Sequence, residues 1–127
     1  MSLDSKKRAL VVDDDEPIRT MLAKVVERQN LAVDTARDGA EAIERIDHND
    51  GYALVILDLM MPKVDGFAVL RYMQQHHPDM VKCTIIASAV PENEILKKFD
   101  GGVFRIHAKP FDMAHLIDDI RKCAESN

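Results

Sequence analysis

The sequence predicts an α/β domain in which helices cover both faces of a five-stranded parallel sheet. Two observations lead to this prediction. Short apolar segments alternate five times with stretches of helical periodicity, and the central segment, residues 53–57, is apolar on both faces. Parallel strands need crossover connections, which are right-handed, so five such units form a three-layer, doubly wound sandwich. With 127 residues, the chain fits one domain, which we assign to residues 7–124.

The first two repeats begin close to the N-terminus. Residues 9–12 are apolar and stop at an acidic run, which is typical of a short buried strand. Apolar side chains then recur at i, i+3, i+4, i+7 and i+8 from Ile18, which predicts a helix with Pro17 in its first turn. Residues 31–36 alternate as a strand does, and Asp38 is placed to cap the second helix.

The remaining repeats follow the same pattern. A third helix follows the central strand, and residues 81–87 and 103–108 are predicted to form the fourth and fifth strands. We expect the fourth helix to begin at Pro91 and to end at Gly101, because glycine commonly terminates helices. The last helix is expected to begin near Asp112.

Composition and charge exclude several classes of function. The chain has 17 Lys and Arg residues against 22 Asp and Glu residues, a formal net charge of −5, so direct nucleic-acid binding is not expected. The longest aliphatic run, residues 53–57, is far short of the roughly 20 residues that a membrane-spanning helix needs. No signal-peptide pattern and only two cysteines indicate a cytoplasmic location. Residues 1–6 are expected to be an N-terminal extension or a cloning remnant, and no output domain is expected in this chain.

Reactive side chains follow four of the five predicted strands. Asp13 and Asp14 follow the first strand, Asp58 the third, Ser88 the fourth and Lys109 the fifth. Ligands of open α/β sheets bind at the carboxyl ends of the strands, so we expect these side chains to converge. Carboxylates that converge repel one another unless a cation is present, and Mg²⁺ or Mn²⁺ with oxygen ligands is suitable. The amine and the hydroxyl could then bind a transferred phosphoryl group.

Four segments resemble the receiver domains of two-component response regulators, which have a flavodoxin-like (βα)5 fold. They are LVVDDDEP at 10–17, LDLMMPKVDG at 57–66, IASA at 86–89 and KPF at 109–111. The resemblance covers nearly the whole chain, in the expected order and at the expected strand ends.

The resemblance implies a role for each matching residue. Asp58 would be the phosphoacceptor, and Asp14 a direct ligand of Mg²⁺. Asp13 would reach the ion mainly through water, and the backbone carbonyl of Met60 would complete the metal ligands together with Asp58. Lys109 would contact the phosphoryl group and precede a cis proline.

The resemblance also implies a switch, in which this chain departs from the family pattern. Ser88 matches the hydroxyl residue that moves toward the phosphorylated aspartate. The aromatic residue that often lies three positions before the lysine is replaced by Ile106. Gating by an aromatic ring therefore cannot operate, and output through the fourth helix, fifth strand and fifth helix must be executed differently. The flanking Arg105 and His107 form either a partner surface or a plain solvated strand edge.

The implied function is that of a phosphorylation switch. The phosphoryl group would come from a histidine kinase or a histidine phosphotransfer protein, and an output domain or downstream protein would read the change. A phosphorylation-dependent homodimer is also allowed. Such a domain carries out only its own phosphorylation and dephosphorylation and is not a turnover enzyme.

Three alternatives compete with this interpretation. The first is a receiver that acts as an adaptor without phosphorylation. The second is a haloacid-dehalogenase-type phosphatase, which needs a second aspartate at the position of Met60. The third is a flavin-binding module, whose phosphate the acidic run at residues 13–15 would repel.

Overall fold

The structure, a computed structural model, describes residues 6–49 and 51–126. Five parallel strands form one sheet in the order β2-β1-β3-β4-β5. The strands are β1 Arg8–Val12, β2 Ala32–Ala36, β3 Tyr52–Leu57, β4 Thr84–Ser88 and β5 Arg105–Ala108. The predicted three-layer fold is confirmed. Of the predicted N-terminal extension, only Lys6 lies within the described residues.

Six helices connect or follow these strands in the described part of the chain. They are α1 Glu16–Glu27, α2 Gly39–His48, α3 Gly66–His76, α4 Pro78–Val81, α5 Glu92–Lys98 and α6 Met113–Ser126. Every residue of β3 is buried, because helices cover both faces of this central strand. No helix within residues 6–49 and 51–126 has the length and apolar character needed to cross a membrane.

The short helix α4 corrects the prediction of a strand over residues 81–87. Val81 ends this helix, and the fourth strand begins only at Thr84. Pro78 favours a helical first turn, and the hydroxyl of Thr84 donates a hydrogen bond to the carbonyl of Met80 at 2.8 Å. Buried apolar residues suit either a helix or a strand, so composition could not distinguish the two.

The fifth strand and the helix before it are shorter than predicted. The strand begins at Arg105, not at residue 103, and α5 ends at Lys98, before the predicted Gly101. Phe99 takes up an extended conformation and folds back into the core with 7% of its surface exposed. Burial of this ring ends the helix one turn earlier than the glycine signal suggested.

Aspartate side chains cap three helices at the ends of the loops that follow β1, β2 and β3. Asp15 accepts a hydrogen bond from the amide of Ile18 at 3.0 Å, and Asp38 accepts one from Glu41 at 2.8 Å. Asp65 does the same for α3 at 3.0 Å. The predicted cap at Asp38 is confirmed. These caps satisfy amides that a helix start leaves free, and they fix the loops at the carboxyl edge of the sheet.

Candidate functional site

Three carboxylates come together at the carboxyl ends of β1 and β3. The two strands are neighbours, with Val12 opposite Leu57, so the next residues, Asp13 and Asp58, lie side by side. These two aspartates are 1% and 4% exposed, while Asp14 is exposed to solvent. One carboxylate oxygen from each lies within 4.8 Å of the others. The convergence expected from the strand ends is therefore observed.

The ammonium of Lys109 reaches the same group of acids from β5. Its Nζ atom lies 3.1 Å from Oδ2 of Asp13 and 3.6 Å from Oδ2 of Asp58. The backbone amide of Lys109 donates to the carbonyl of Ser88 at 3.0 Å, which extends the β4–β5 ladder by one residue. The peptide bond to Pro110 is cis, as the resemblance implied.

Backbone amides take up further lone pairs of the two buried carboxylates. The amide of Asp15 donates to Oδ1 of Asp13 at 2.9 Å, and the amide of Met60 donates to Oδ1 of Asp58 at 3.3 Å. The side chain of Met60 is 64% exposed, so this residue contributes its backbone to the site. No buried side-chain nitrogen or oxygen lacks a partner in the described part of the chain.

Burial and charge act together on the acidic group. Burial raises the pKa of Asp58, and the charge of Asp13 raises it further, against the opposing effects of Lys109 and the Met60 amide. For Lys109, burial lowers the pKa, but the hydrogen bond to Asp13 and the charge of Asp58 more than offset it, so the pKa is raised. One ammonium cannot neutralise three carboxylates. The donor set consists of oxygens, which hard divalent cations prefer.

Ser88 lies beside this group without contacting the carboxylates. The residue is 1% exposed at the end of β4, and its hydroxyl oxygen accepts a hydrogen bond from the amide of Val90 at 3.3 Å. The hydroxyl keeps one hydrogen that it can donate while its oxygen accepts from Val90. Its role as a switch stays a prediction.

Two neighbours of the acids were not identified from the sequence. Arg19, on α1, donates to the backbone carbonyl of Asp13 at 2.9 Å. Gly66 lies so close to Asp58 that a Cβ atom would be 2.4 Å from the Asp58 carbonyl oxygen. The glycine at the start of a capped helix was a visible signal for a turn, but nothing in the sequence indicated this close approach. Nothing in the sequence indicated the role of Arg19.

The residues around Ile106 form two different surfaces. Ile106 is partly buried and lines a cavity of about 350 Å³ together with Leu96 and Phe99. His107 has a side chain that is only 12% exposed, and its Nε2 lies 2.7 Å from Oδ2 of Asp119 on α6. The expectation of a solvated edge is therefore wrong for His107, because α6 covers it. Arg105 is 54% exposed and is 3.7 Å from the same carboxylate.

Comparison with known sequences decides the family. A sequence model described as the response regulator receiver domain matches residues 9–121. The chain belongs to this family. Phosphorylation on an aspartate is the known function of receiver domains. The family assignment confirms the predicted resemblance and excludes the phosphatase and flavin-module alternatives, whereas the adaptor alternative lies within the same family.

Curated relatives of this receiver domain are longer regulators. Transcriptional regulatory protein ResD of Bacillus subtilis is 32% identical over 92% of this chain, which corresponds to 48% of ResD. Transcription factor SKN7 of Chaetomium thermophilum is 31% identical over 97% of this chain and 18% of its own length. The chain thus spans about half the length of ResD and less than a fifth of SKN7.

Solved receiver domains have the same fold. The receiver domain of response regulator 1452 from Francisella has a TM-score of 0.83 at 26% identity, covering 95% of this chain and 98% of its own. A receiver domain from Clostridium thermocellum has a TM-score of 0.82 at 27% identity, covering 94% of this chain and 95% of its own. The fold of this chain is therefore that of a receiver domain.

Proposed function

We propose that this receiver domain accepts a phosphoryl group on Asp58 from the phosphohistidine of a histidine kinase or a histidine phosphotransfer protein. One observation supports this above all others. Residues far apart in the chain bring three carboxylate oxygens within 4.8 Å and an ammonium within 3.1 Å and 3.6 Å of two of them. Phosphoryl transfer depends chiefly on positioning and charge neutralisation, and this arrangement offers both.

The acidic group suits Mg²⁺ or Mn²⁺. Asp14 and Asp58 would bind the ion directly, Asp13 mainly through water, and the backbone carbonyl of Met60 would complete the protein ligands. The all-oxygen donor set and the excess of negative charge at this position support this assignment. When bound, the ion neutralises part of the charge of the carboxylates and of the incoming phosphoryl group.

Asp58 acts as the nucleophile in the proposed reaction. One of its carboxylate oxygens forms a bond to phosphorus while the phosphorus–nitrogen bond of the donor breaks, and the electron pair of that bond returns to the imidazole. The product is an acyl phosphate on Asp58. The ammonium of Lys109, 3.6 Å from the Asp58 carboxylate, stabilises charge on the phosphoryl oxygens. The amide of Met60 holds the other oxygen and thereby orients the carboxylate.

The response begins at Ser88 and ends at the surface formed by α5, β5 and α6. An aspartyl phosphate carries a charge near −2 with strong acceptor oxygens, which favours rotation of the Ser88 hydroxyl toward it. Rotation frees the amide of Val90, which leads into α5. Ile106 then repacks in the cavity that it shares with Leu96. An output domain, a downstream protein or a second copy of the chain reads the altered surface, in the cytoplasm and without direct nucleic-acid contact by this domain.

The proposal is tested with acetyl phosphate and Mg²⁺ on the wild type and on Asp58→Asn. Intact-protein mass spectrometry is expected to show one phosphoryl group on the wild type and none on the variant. Asp100→Asn is the matched control, because it removes the same charge from an exposed position. Equal labelling of Asp58→Asn would remove Asp58 from the proposed role. A wild type that binds Mg²⁺ but takes no label would favour the adaptor alternative.

A further inference from the structure

Arg105 and His107 lie on one face of β5, and Lys109, the first residue after the strand, continues this alternation. Side chains alternate along a strand, so residues two apart share a face, and the ladder continues as far as the amide of Lys109. On this face α6 covers His107, whose Nε2 is 2.7 Å from Oδ2 of Asp119. The side chains of His107 and Asp119 are 12% and 15% exposed. This contact therefore links α6 to the strand that carries the ammonium of the site.

The strand β5 needs a support of this kind. It has four residues and lies at the edge of the sheet, where it pairs with β4 on one side. The end of this strand sets the position of the Lys109 backbone. The ammonium of Lys109 must lie close to both Asp13 and Asp58. A side-chain contact two residues earlier, about 7 Å along the strand, restrains that end.

We propose that Asp119 is a positioning residue for phosphoryl transfer: by holding His107 it fixes the end of β5 and thereby the ammonium of Lys109. The inference rests on the function proposed above for Lys109. Asp119 itself contacts His107 and Arg105 and not the acidic group. Its effect passes through the histidine and the strand.

The other charged groups near this contact have lesser roles. Arg105 lies 3.7 Å from Asp119, but with a side chain 54% exposed its ion pair is largely screened. Asp118 is the neighbour of Asp119 in sequence and pairs instead with Lys122 at 3.0 Å, where both side chains are more than half exposed. Asp118→Ala is therefore the matched control for Asp119→Ala, since it removes the same side chain from the same helix.

The test measures the rate of labelling by acetyl phosphate at saturating Mg²⁺, together with the Mg²⁺ dissociation constant from calorimetry. Asp119→Ala is expected to slow labelling by at least five-fold, about 1 kcal/mol at 1.4 kcal/mol per factor of ten, and to leave Mg²⁺ affinity within two-fold. Asp119→Asn keeps an oxygen that accepts from His107, so it is expected to restore the rate to within two-fold. His107→Ala removes the same contact from the strand side and serves as the second variant if Asp119→Ala does not fold.

Double variants show whether the effect passes through the strand. In a Lys109→Ala background, Asp119→Ala is expected to cause no further loss of rate, because the group that it positions has been removed. A further loss there would overturn the inference, as would a rate for Asp119→Ala within two-fold of that for Asp118→Ala. An equal weakening of Mg²⁺ binding would also overturn it, since it would indicate a general loosening. A wild type that takes no label would overturn the proposed function, and the inference with it.

Discussion

Asp58→Asn is expected to stabilise the folded protein when divalent cations are removed. The carboxylate of Asp58 is buried close to that of Asp13, and burial followed by the charge of Asp13 raises its pKa above the ordinary value of 3.8. The folded state therefore binds the proton of Asp58 more tightly than the unfolded chain does. The protonated carboxyl of Asp58 therefore contributes to stability at low pH, and this contribution is lost as the pH rises from below 3.8 through the native pKa. The ionised carboxylate destabilises the fold at neutral pH.

The size of the effect follows from the distances in the site. Carboxylate oxygens of Asp13 and Asp58 within 4.8 Å repel by at least about 3 kcal/mol at an effective dielectric constant near 20. Lys109 at 3.6 Å attracts the carboxylate by about 5 kcal/mol on the same scale. Removing the charge from water adds an unfavourable contribution of several kcal/mol. We therefore expect Asp58→Asn to raise the free energy of unfolding by about 1–2 kcal/mol.

Urea unfolding with EDTA present, measured between pH 4 and pH 8, tests this expectation. The gain should be largest at neutral pH and fade toward acid, as the wild-type carboxylate becomes protonated. Added Mg²⁺ should narrow the difference, because binding stabilises the wild type and the variant has lost a ligand. The exposed control Asp100→Asn should stay within about 0.5 kcal/mol of the wild type. The electrostatic account would be refuted if Asp58→Asn were no more stable than this control at neutral pH. It would also be refuted if the gain in the free energy of unfolding did not change with pH.

Three further variants test other parts of the structure. Gly66→Ala places a Cβ 2.4 Å from a backbone oxygen, so urea unfolding should show a loss of about 2 kcal/mol or more; Gly51→Ala, whose nearest neighbour would be 3.8 Å away, should show little change. Asp38→Ala removes the cap of α2 and should lower the free energy of unfolding by about 1 kcal/mol, and an unchanged urea midpoint would contradict this. Lys109→Ala should leave the Mg²⁺ affinity measured by calorimetry undiminished, because an ammonium is not a metal ligand. The same variant should slow labelling by acetyl phosphate at least ten-fold, roughly 1.4 kcal/mol. Normal labelling would count against the role of the amine.

Local sequence signals predicted most of the fold. They failed where the same composition suits either a helix or a strand. The aliphatic run at residues 53–57 predicted the central strand, because a strand covered by helices on both faces is apolar on both faces. Val81 was assigned to a strand and lies in α4, since a short buried segment has the same apolar side chains in either structure. The cap at Asp38 was predicted because it depends on residues within one turn.

The candidate site was largely predictable because the fold determines which strand ends lie close together. Asp13, Asp58 and Lys109 each follow a strand, and all parallel strands of a sheet end at the same edge. The contacts of His107 and Arg19 could not be predicted in this way. They depend on how α6 and α1 are rotated against the sheet, and that rotation is set by packing across the whole core.

The sequence by itself determined the five strands, five of the six described helices, the residues at the strand ends and the family. Periodicity and strand-end chemistry are local properties, so they can be read without coordinates. Only the tertiary structure decided that Asp119 holds His107, that Ser88 is bonded to Val90, and that Gly66 lies against Asp58. The contacts of Asp119 and of Gly66 join separate parts of the chain, and packing sets such distances through the combined shape of many side chains. The contact of Ser88 depends on the conformation of the loop after β4.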